Sequence, residues 1–407
     1  MSGRSALGDW AASGAMALTG RRGGPPCAAP GAPASAVRRA LRRVAEATLH
    51  RTGVVPRLPG VGLLGERAAI AGFTRNGPWS CGGAFRALPT VDGWVGLSLP
   101  RDSDIDLVPA LIEGNAGPDP WAAAGRWAGR QRAADVVARA RLLGLACSAP
   151  GVAEAGRPAV SLTPGRTRPR MRDRPLVVDL SALWAGPLCA HLLGLGGAEV
   201  VKVEDVRRPD GARRGPARFF DLLHGGHRMV SLNFADAGDL ARLRTLIAGS
   251  DLVIESSRPR ALAQLGIDAH EVVASGTSWL SITARGRASN TIGFGDDVAT
   301  GAGLFVADGG TILPCGDAIA DPLTGCAAAA AAAEALLRPA SALIDVSMHH
   351  VAAEAAEGAV EPHTVTRVGG RWWVHTDGGR FPVAPPVGRI PRLAAGRSGA
   401  DNAEILP

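Results

Sequence analysis

Asp321 stands in Cys315-Gly316-Asp317-Ala318-Ile319-Ala320-Asp321-Pro322-Leu323-Thr324-Gly325, just ahead of an alanine run from Ala327 to Ala333. A carboxylate at the start of a helix has two uses. It can cap the helix by accepting backbone N–H groups. Held ionised by the same donors, it can also act as a nucleophile toward an acyl carbon. On spacing alone the cap is the commoner of the two. Other catalytic arrangements are absent from the sequence: no Gly-x-Ser-x-Gly elbow, no His-Glu-x-x-His and no Gly-x-x-x-x-Gly-Lys loop. Gly194-Leu195-Gly196-Gly197 closes a helical pattern, whereas a dinucleotide fingerprint must open one. His349-His350 reads as a structural or surface pair at the start of a helix, not as a metal site. Cys27, Cys81, Cys147, Cys189, Cys315 and Cys326 show no Cys-x-x-Cys spacing. That argues against zinc and against a disulfide framework, and fits a reducing cytoplasm.

The elements that must position Asp321 are clearest in the C-terminal half. Leu176 to Leu180 reads as a buried strand, Gly186-Pro187 opens a helix that ends at Gly196-Gly197, and Glu199 to Val203 is a second strand. The alternation continues with a helix near Phe219 to Leu223, strand Met229 to Leu232, helix Leu240 to Ala248, and strands Leu252 to Glu255 and Trp279 to Thr283. Short apolar runs alternating with helices predict an α/β fold with a doubly wound, Rossmann-like parallel sheet. The alanine helix then leads to strand Leu343 to Val346. Gly165 to Arg174, rich in Pro and Arg, separates this half from a first half of mixed α and β, in which Ala36 to Thr48 is a basic helix. Gly8 through Met16 resembles Gly295 through Phe305, which suggests a faint internal repeat.

At 407 residues, 46% hydrophobic and 20% charged, the composition is that of a globular chain with room for two cores. The net charge of +7 rests almost wholly on arginine, because Lys202 is the single lysine. Such a charge suits an acidic ligand such as a nucleotide cofactor. Nucleic-acid binding is not expected, since no zinc-finger or RNA-recognition pattern is present and tyrosine is absent. No run is long and apolar enough for a membrane span. Trp10 to Gly20 is too weakly apolar for a signal peptide and runs into Arg21-Arg22.

Several segments, in order, resemble the class III coenzyme A transferases of the CaiB/BaiF type, which include formyl-CoA and carnitine CoA-transferases. Val178-Asp179-Leu180, Ala185-Gly186-Pro187 and Gly197-Ala198-Glu199-Val200-Val201-Lys202-Val203-Glu204 are similar to the opening strand–turn–strand of that family. Phe219-Phe220 through Leu232, Val253-Ile254-Glu255-Ser256-Ser257-Arg258-Pro259 and Leu265-Gly266-Ile267 continue the likeness over residues 175 to 350. Ile319-Ala320-Asp321 with Gly325 falls where the family keeps its catalytic aspartate. Gly82-Gly83 and the stretch Leu88 to Val95 resemble its smaller α+β domain and the glycine loop that closes over the aspartate.

The resemblance implies a CoA-transferase with Asp321 as nucleophile and Gly82 and Gly83 as the loop over it. It implies CoA contacts from Ala185, Gly186, Pro187, Glu204, Arg207, Arg208, Ser256 and Arg258. Acyl-CoA and a free carboxylic acid would be substrates, with no permanently bound cofactor, no metal, and no nucleic-acid or membrane partner. A cytoplasmic, interlocked homodimer is the family's usual state. The expected organisation is a degenerate partial repeat (1–50), a small α+β domain (51–165), a linker (166–174), a Rossmann-like catalytic domain (175–358) and a short remnant with a tail (359–407). The small domain thus precedes the nucleotide fold, the reverse of the family order, and the repeat has no acid near Ser35-Ala36 where a second aspartate would fall. Ser256 stands for the family's asparagine and Asp205 for a basic residue, which puts the CoA contacts in question. Two other readings stay open. One is an inactive or partner-dependent CoA-binding paralogue. The other is an α-methylacyl-CoA racemase-like enzyme, although Asp296 occupies the place of the histidine such racemases use.

Overall fold

The short apolar runs of the C-terminal half assemble side by side into one seven-stranded sheet. In the computed structural model, which describes residues 5–151, 157–167 and 172–406, the strands lie in the spatial order Val160–Thr167, Ala340–Ser347, Ser278–Thr283, Leu252–Glu255, Leu176–Asp179, Glu199–Asp205, Arg228–Leu232. All neighbours are parallel except the first pair, where Val160–Thr167 runs antiparallel along one edge. The central strands are buried on both faces: Val177, Val178, Leu252, Val253 and Ile254 have no exposure. This is the doubly wound α/β architecture that near-continuous apolar strands require. From Leu176–Asp179 the chain first winds outward one way, then returns to Leu252–Glu255 on the other side. The order therefore reverses between these two strands, and a crevice opens beyond their carboxyl ends.

The alanine run forms the helix Ala320–Ala335, buried almost all round. Small side chains let it lie against two other helices, Pro33–Thr52 and Ala185–Leu195, in one apolar cluster. The approach is closest at Gly325, where a Cβ would lie 2.7 Å from the Ala185 carbonyl oxygen. Pro33–Thr52 earns its place by amphipathicity: Val37, Ala40, Leu41, Val44 and Ala47 face inward, while its arginines face out and Arg43 pairs with Glu334 at 2.7 Å.

Residues 5–52 thus share the large unit's core and do not form a body of their own. In the repeat-like segment Ser35 Oγ donates to Asp9 at 2.8 Å and Arg38 pairs with the same buried carboxylate. The smaller α+β unit is also narrower than expected. Its own core begins at the antiparallel strands Phe85–Thr90 and Gly93–Ser98 and ends at Ala146–Ser148, with four helices between. Val61, Leu63 and Leu64 pack on the large unit instead. The linker expected over 166–174 falls partly outside the described residues (168–171). Its first two residues end the edge strand Val160–Thr167, whose Pro164 is tolerated because an edge strand can spare an N–H.

The C-terminal remnant holds more order than its composition suggested. Thr364–Val368, Arg371–Thr376 and Gly379–Pro382 form an antiparallel sheet. The tail beyond crosses to the far edge of the main sheet, where Asp401 accepts the Met229 N–H at 2.7 Å and Asn402 accepts that of Ser231 at 2.9 Å.

Candidate active site

Asp321 lies in the first turn of Ala320–Ala335 but does not cap it; the N-cap is Ile319, which makes no side-chain cap bond. Its hydrogen bond comes from the Gly295 N–H, at the start of the helix Gly295–Gly301. The two backbones meet so closely that a Cβ on Gly295 would stand 2.2 Å from the Ala318 oxygen and 2.5 Å from Asp321 Oδ2. Ala318 itself adopts φ +44°, an uncommon conformation for a residue with a side chain.

Asp321 belongs to a cluster of four carboxyls. Asp296 accepts the Ala318 N–H at 3.0 Å. Asp297 accepts the Phe294 N–H at 2.9 Å and the Ser98 hydroxyl at 2.8 Å. Asp317, wholly buried, takes a bidentate pair from Arg67 at 2.9 and 2.5 Å. Arg67 comes from the short helix Glu66–Ala71, 250 residues away, and its guanidinium lies 5.0 Å over the Trp184 ring. Its neighbour Glu66 is pinned in turn by Arg389 of the C-terminal tail.

Burial dominates the electrostatics. It lifts the Asp321 carboxyl to about 7, against the lowering influence of Arg67 and the Gly295 N–H. It lifts Asp297 to about 7. Asp296 rises to about 8, pushed first by burial and then by the Asp317 charge. The sequence argument that a helix start keeps Asp321 ionised is therefore corrected: desolvation outweighs the helix end. Burial also acts to lower the Arg67 guanidinium, but the carboxylates around it, Asp317 foremost, hold it above its ordinary value.

The glycine loop reaches this cluster through Cys81, whose Sγ lies 3.3 Å from the Gly316 oxygen. Gly82 and Gly83 follow directly. Gly83 has φ +77°, and its N–H closes a turn onto Ser80 O at 3.0 Å. Asp321 itself stays partly exposed in this conformation. A cleft of about 380 Å³ between Thr163–Arg166 and His270–Ala274 lies at the sheet edge away from Asp321.

The residues expected to hold CoA fall into two groups. Ala185, Gly186 and Pro187 are buried in the first turn of Ala185–Leu195. Glu204 is buried too, its oxygens engaged by Arg213 and by the Asp210 N–H. Arg207, Arg208 and Arg258 are exposed near the strand ends, and Ser256 accepts the Ala182 N–H at 3.1 Å. Partial burial, then repulsion from Arg260, Arg208 and Arg101, lowers Arg258, so positive charge is concentrated there. Sequence reasoning missed Arg67, Asp317, Arg101 and Arg260. Asp317 was within the quoted motif, but nothing local marks the other three. Among the described residues no cluster suits a metal ion, and no helix is long and apolar enough to cross a membrane.

Residues 175–371 match the sequence pattern of CoA-transferase family III. Similar curated proteins include the (R)-2-hydroxy-4-methylpentanoate CoA-transferase of Clostridioides difficile, 34% identical over 101 residues that cover 22% of this chain and 25% of that one. A succinyl-CoA–D-citramalate CoA-transferase of Chloroflexus aurantiacus is 29% identical over 125 residues, 29% of this chain and 31% of that one. The matches thus span about a quarter to a third of the relatives' length. A CaiB/BaiF family protein of Brucella suis resembles the structure with TM-score 0.45 and 20% identity over 50% of this chain and 65% of that one.

Proposed function

From a chain that carries the CoA-transferase family III pattern over residues 175–371, we propose an acyl-CoA:carboxylate CoA-transferase with Asp321 as nucleophile. The observation that carries this is the setting of Asp321: a partly exposed carboxyl beside Arg67, in a carboxyl cluster that Ser98 of the smaller unit joins through Asp297. Its ionised form attacks the thioester carbonyl and expels CoA thiolate, giving an aspartyl mixed anhydride. The thiolate then attacks the aspartyl carbonyl of that anhydride, releasing the donor carboxylate and leaving an aspartyl-CoA thioester. An acceptor carboxylate attacks this thioester and expels CoA thiolate, giving a second mixed anhydride; the thiolate then attacks its acceptor carbonyl, forming the new acyl-CoA and freeing the Asp321 carboxylate. A carboxyl near 7 is half ionised at neutral pH, and desolvation makes it the more reactive once charged. Closure of the glycine loop over Asp321 would keep water from the anhydride. In the structure the Gly83 N–H donates to Ser80 O, so the loop must change its turn before Gly83 can donate to an oxyanion.

Arg207, Arg208 and Arg258, joined by Arg101 and Arg260, would receive the CoA phosphates beyond the strand ends. The six cysteines, all free in the structure, support a cytoplasmic setting. A homodimer is proposed from the family likeness, and light scattering tests it: a sole species at 41.6 kDa contradicts it. A second reading has one observation in its favour. Asp296, protonated at neutral pH, supplies an acid close to Asp321, as α-proton exchange would need.

The test is incubation with a panel of acyl-CoAs and free carboxylic acids, followed by mass spectrometry. CoA exchange and an Asp321 adduct, both lost in Asp321→Ala, are the expected result. Folded protein that binds CoA without exchange or adduct supports the inactive paralogue. Deuterium incorporation at the α-carbon without exchange supports the racemase-like alternative.

A further inference from the structure

Lys202, the chain's single lysine, points into the protein from strand Glu199–Asp205 and is 1% exposed. Its Nζ stands 3.1 Å from Asp210 Oδ2 and 3.7 Å from Asp179 Oδ2, and it donates to the Ser181 carbonyl. Both aspartates are buried as well. Burial acts to lower the Lys202 ammonium, and the two carboxylates more than reverse it. His224, buried nearby with Nε2 4.0 Å from Asp210 Oδ2, is kept neutral by the same burial and adds no competing charge. Such a buried trio often contributes no more to stability than apolar residues of the same volume, and burial raises the Asp179 carboxyl against the lowering influence of Lys202. Its presence asks for a structural task.

Each partner ends on one turn. Asp179 Oδ1 accepts the Ser181 N–H at 2.9 Å and the Ser181 hydroxyl. Asp210 Oδ1 accepts the N–H groups of Leu183 and Ala212, each at 2.9 Å. Leu183 is held at φ +70° although the residue is 42% exposed, a conformation that persists only where surroundings enforce it. The next residue, Trp184, lies buried beneath the Arg67 guanidinium. Gly186 lets the turn close on the following helix, because a Cβ there would stand 2.1 Å from Ser181 Oγ. The turn sits at the carboxyl end of Leu176–Asp179, where the strand order reverses.

We propose that Lys202, Asp179 and Asp210 form a positioning device that locks the Ser181–Trp184 turn, making it a shared wall of the nucleotide crevice and the acidic cluster. Lys202 acts through the turn and touches no substrate. The kinetic consequence rests on the transferase reading; the structural consequence does not.

Hydrogen–deuterium exchange on the full-length protein measures the Ala182 and Leu183 amides without reference to activity. In Lys202→Met the peptide covering this turn should exchange at least ~10-fold faster while the distant strands keep their protection. Binding of CoA itself, followed by calorimetry, should weaken ~10-fold or more, and KM for acyl-CoA should rise more than kcat falls. If Lys202→Met does not fold, Asp210→Asn serves instead. It keeps an oxygen for Leu183, removes the charge facing Lys202, and should show the same pattern in weaker form. A folded variant with unchanged protection at Leu183 and unchanged CoA affinity overturns the proposal. Should the native protein neither bind CoA nor exchange it, the transferase reading falls, and amide protection alone still decides whether Lys202 holds the turn.

Discussion

Arg67→Met removes a cation that Asp296, Asp317 and Asp321 share. Two effects should separate. Removing a partner from a buried pair costs about 3–5 kcal/mol, because the other charge is left uncompensated; here that charge is Asp317, fully buried. Asp321 also loses the strongest influence that holds its carboxyl down, and a nearby opposite charge shifts a carboxyl by about 1–3 units. Starting from about 7, Asp321 would then titrate at about 8–10. At pH 7 its ionised fraction falls from about a half to between about a tenth and a thousandth. Initial rates of CoA exchange from pH 6 to 10, with thermal melts of the same samples, read both effects. The expected outcome is a loss of about 5- to 500-fold at neutral pH that is largely recovered at the alkaline end. Arg67→Lys, which keeps the charge but not the bidentate pairing, should shift the profile far less. A loss of equal size at every pH, in protein that melts normally, would falsify the electrostatic account and leave Arg67 a purely geometric part.

The raised carboxyls also make a stability prediction. Between about pH 4, where such groups titrate unfolded, and the values near 7 to 8 at Asp296, Asp297 and Asp321, the folded state binds more protons than the unfolded one. Stability should therefore fall as pH rises through that window, and urea unfolding at pH 5 and 8 should show a smaller difference in Asp296→Asn. Gly295→Ala drives a methyl into the Ala318 carbonyl and Asp321; a loss of about 1–3 kcal/mol with loss of exchange is expected, and unchanged melting and rate would contradict the contact. Neutralising Arg208 and Arg258 together should weaken CoA binding and flatten its salt dependence, whereas equal affinity at low and high salt would move the phosphates elsewhere.

The sheet was legible because each of its central strands announces itself locally, as a run of apolar residues between helical patterns. Asp321 is singled out by the sequence for a different reason: it closes a motif whose parts fall in order along the chain. What escaped has no local mark. Arg67 sits in a six-residue helix of ordinary composition, and its meaning arises only when the fold brings it to Asp317. The edge strand Val160–Thr167 was hidden by Pro164 and by exposed polar residues, which an edge position permits. Lys202 was recognisable as a motif residue, yet its task depends on Asp179 from a neighbouring strand and Asp210 from the following loop, and adjacency between strands is not written along either one. The upward shift of Asp321 was missed because burial is a property of the assembled core, not of the helix start.

The pairing of Arg67 with Asp317 across 250 positions also bears on how the protein is made. A ribosome extrudes the amphipathic helix Pro33–Thr52 long before the alanine helix that covers it exists. Until that helix emerges, Val37, Leu41 and Val44 face solvent or whatever holds them, and the Arg67 guanidinium has no carboxylate to meet. Such late, distant closure slows folding and prolongs the exposure of sticky surface. Newly made chains should thus lean on chaperones through the final quarter of translation, and premature termination there should yield aggregates instead of a smaller working protein.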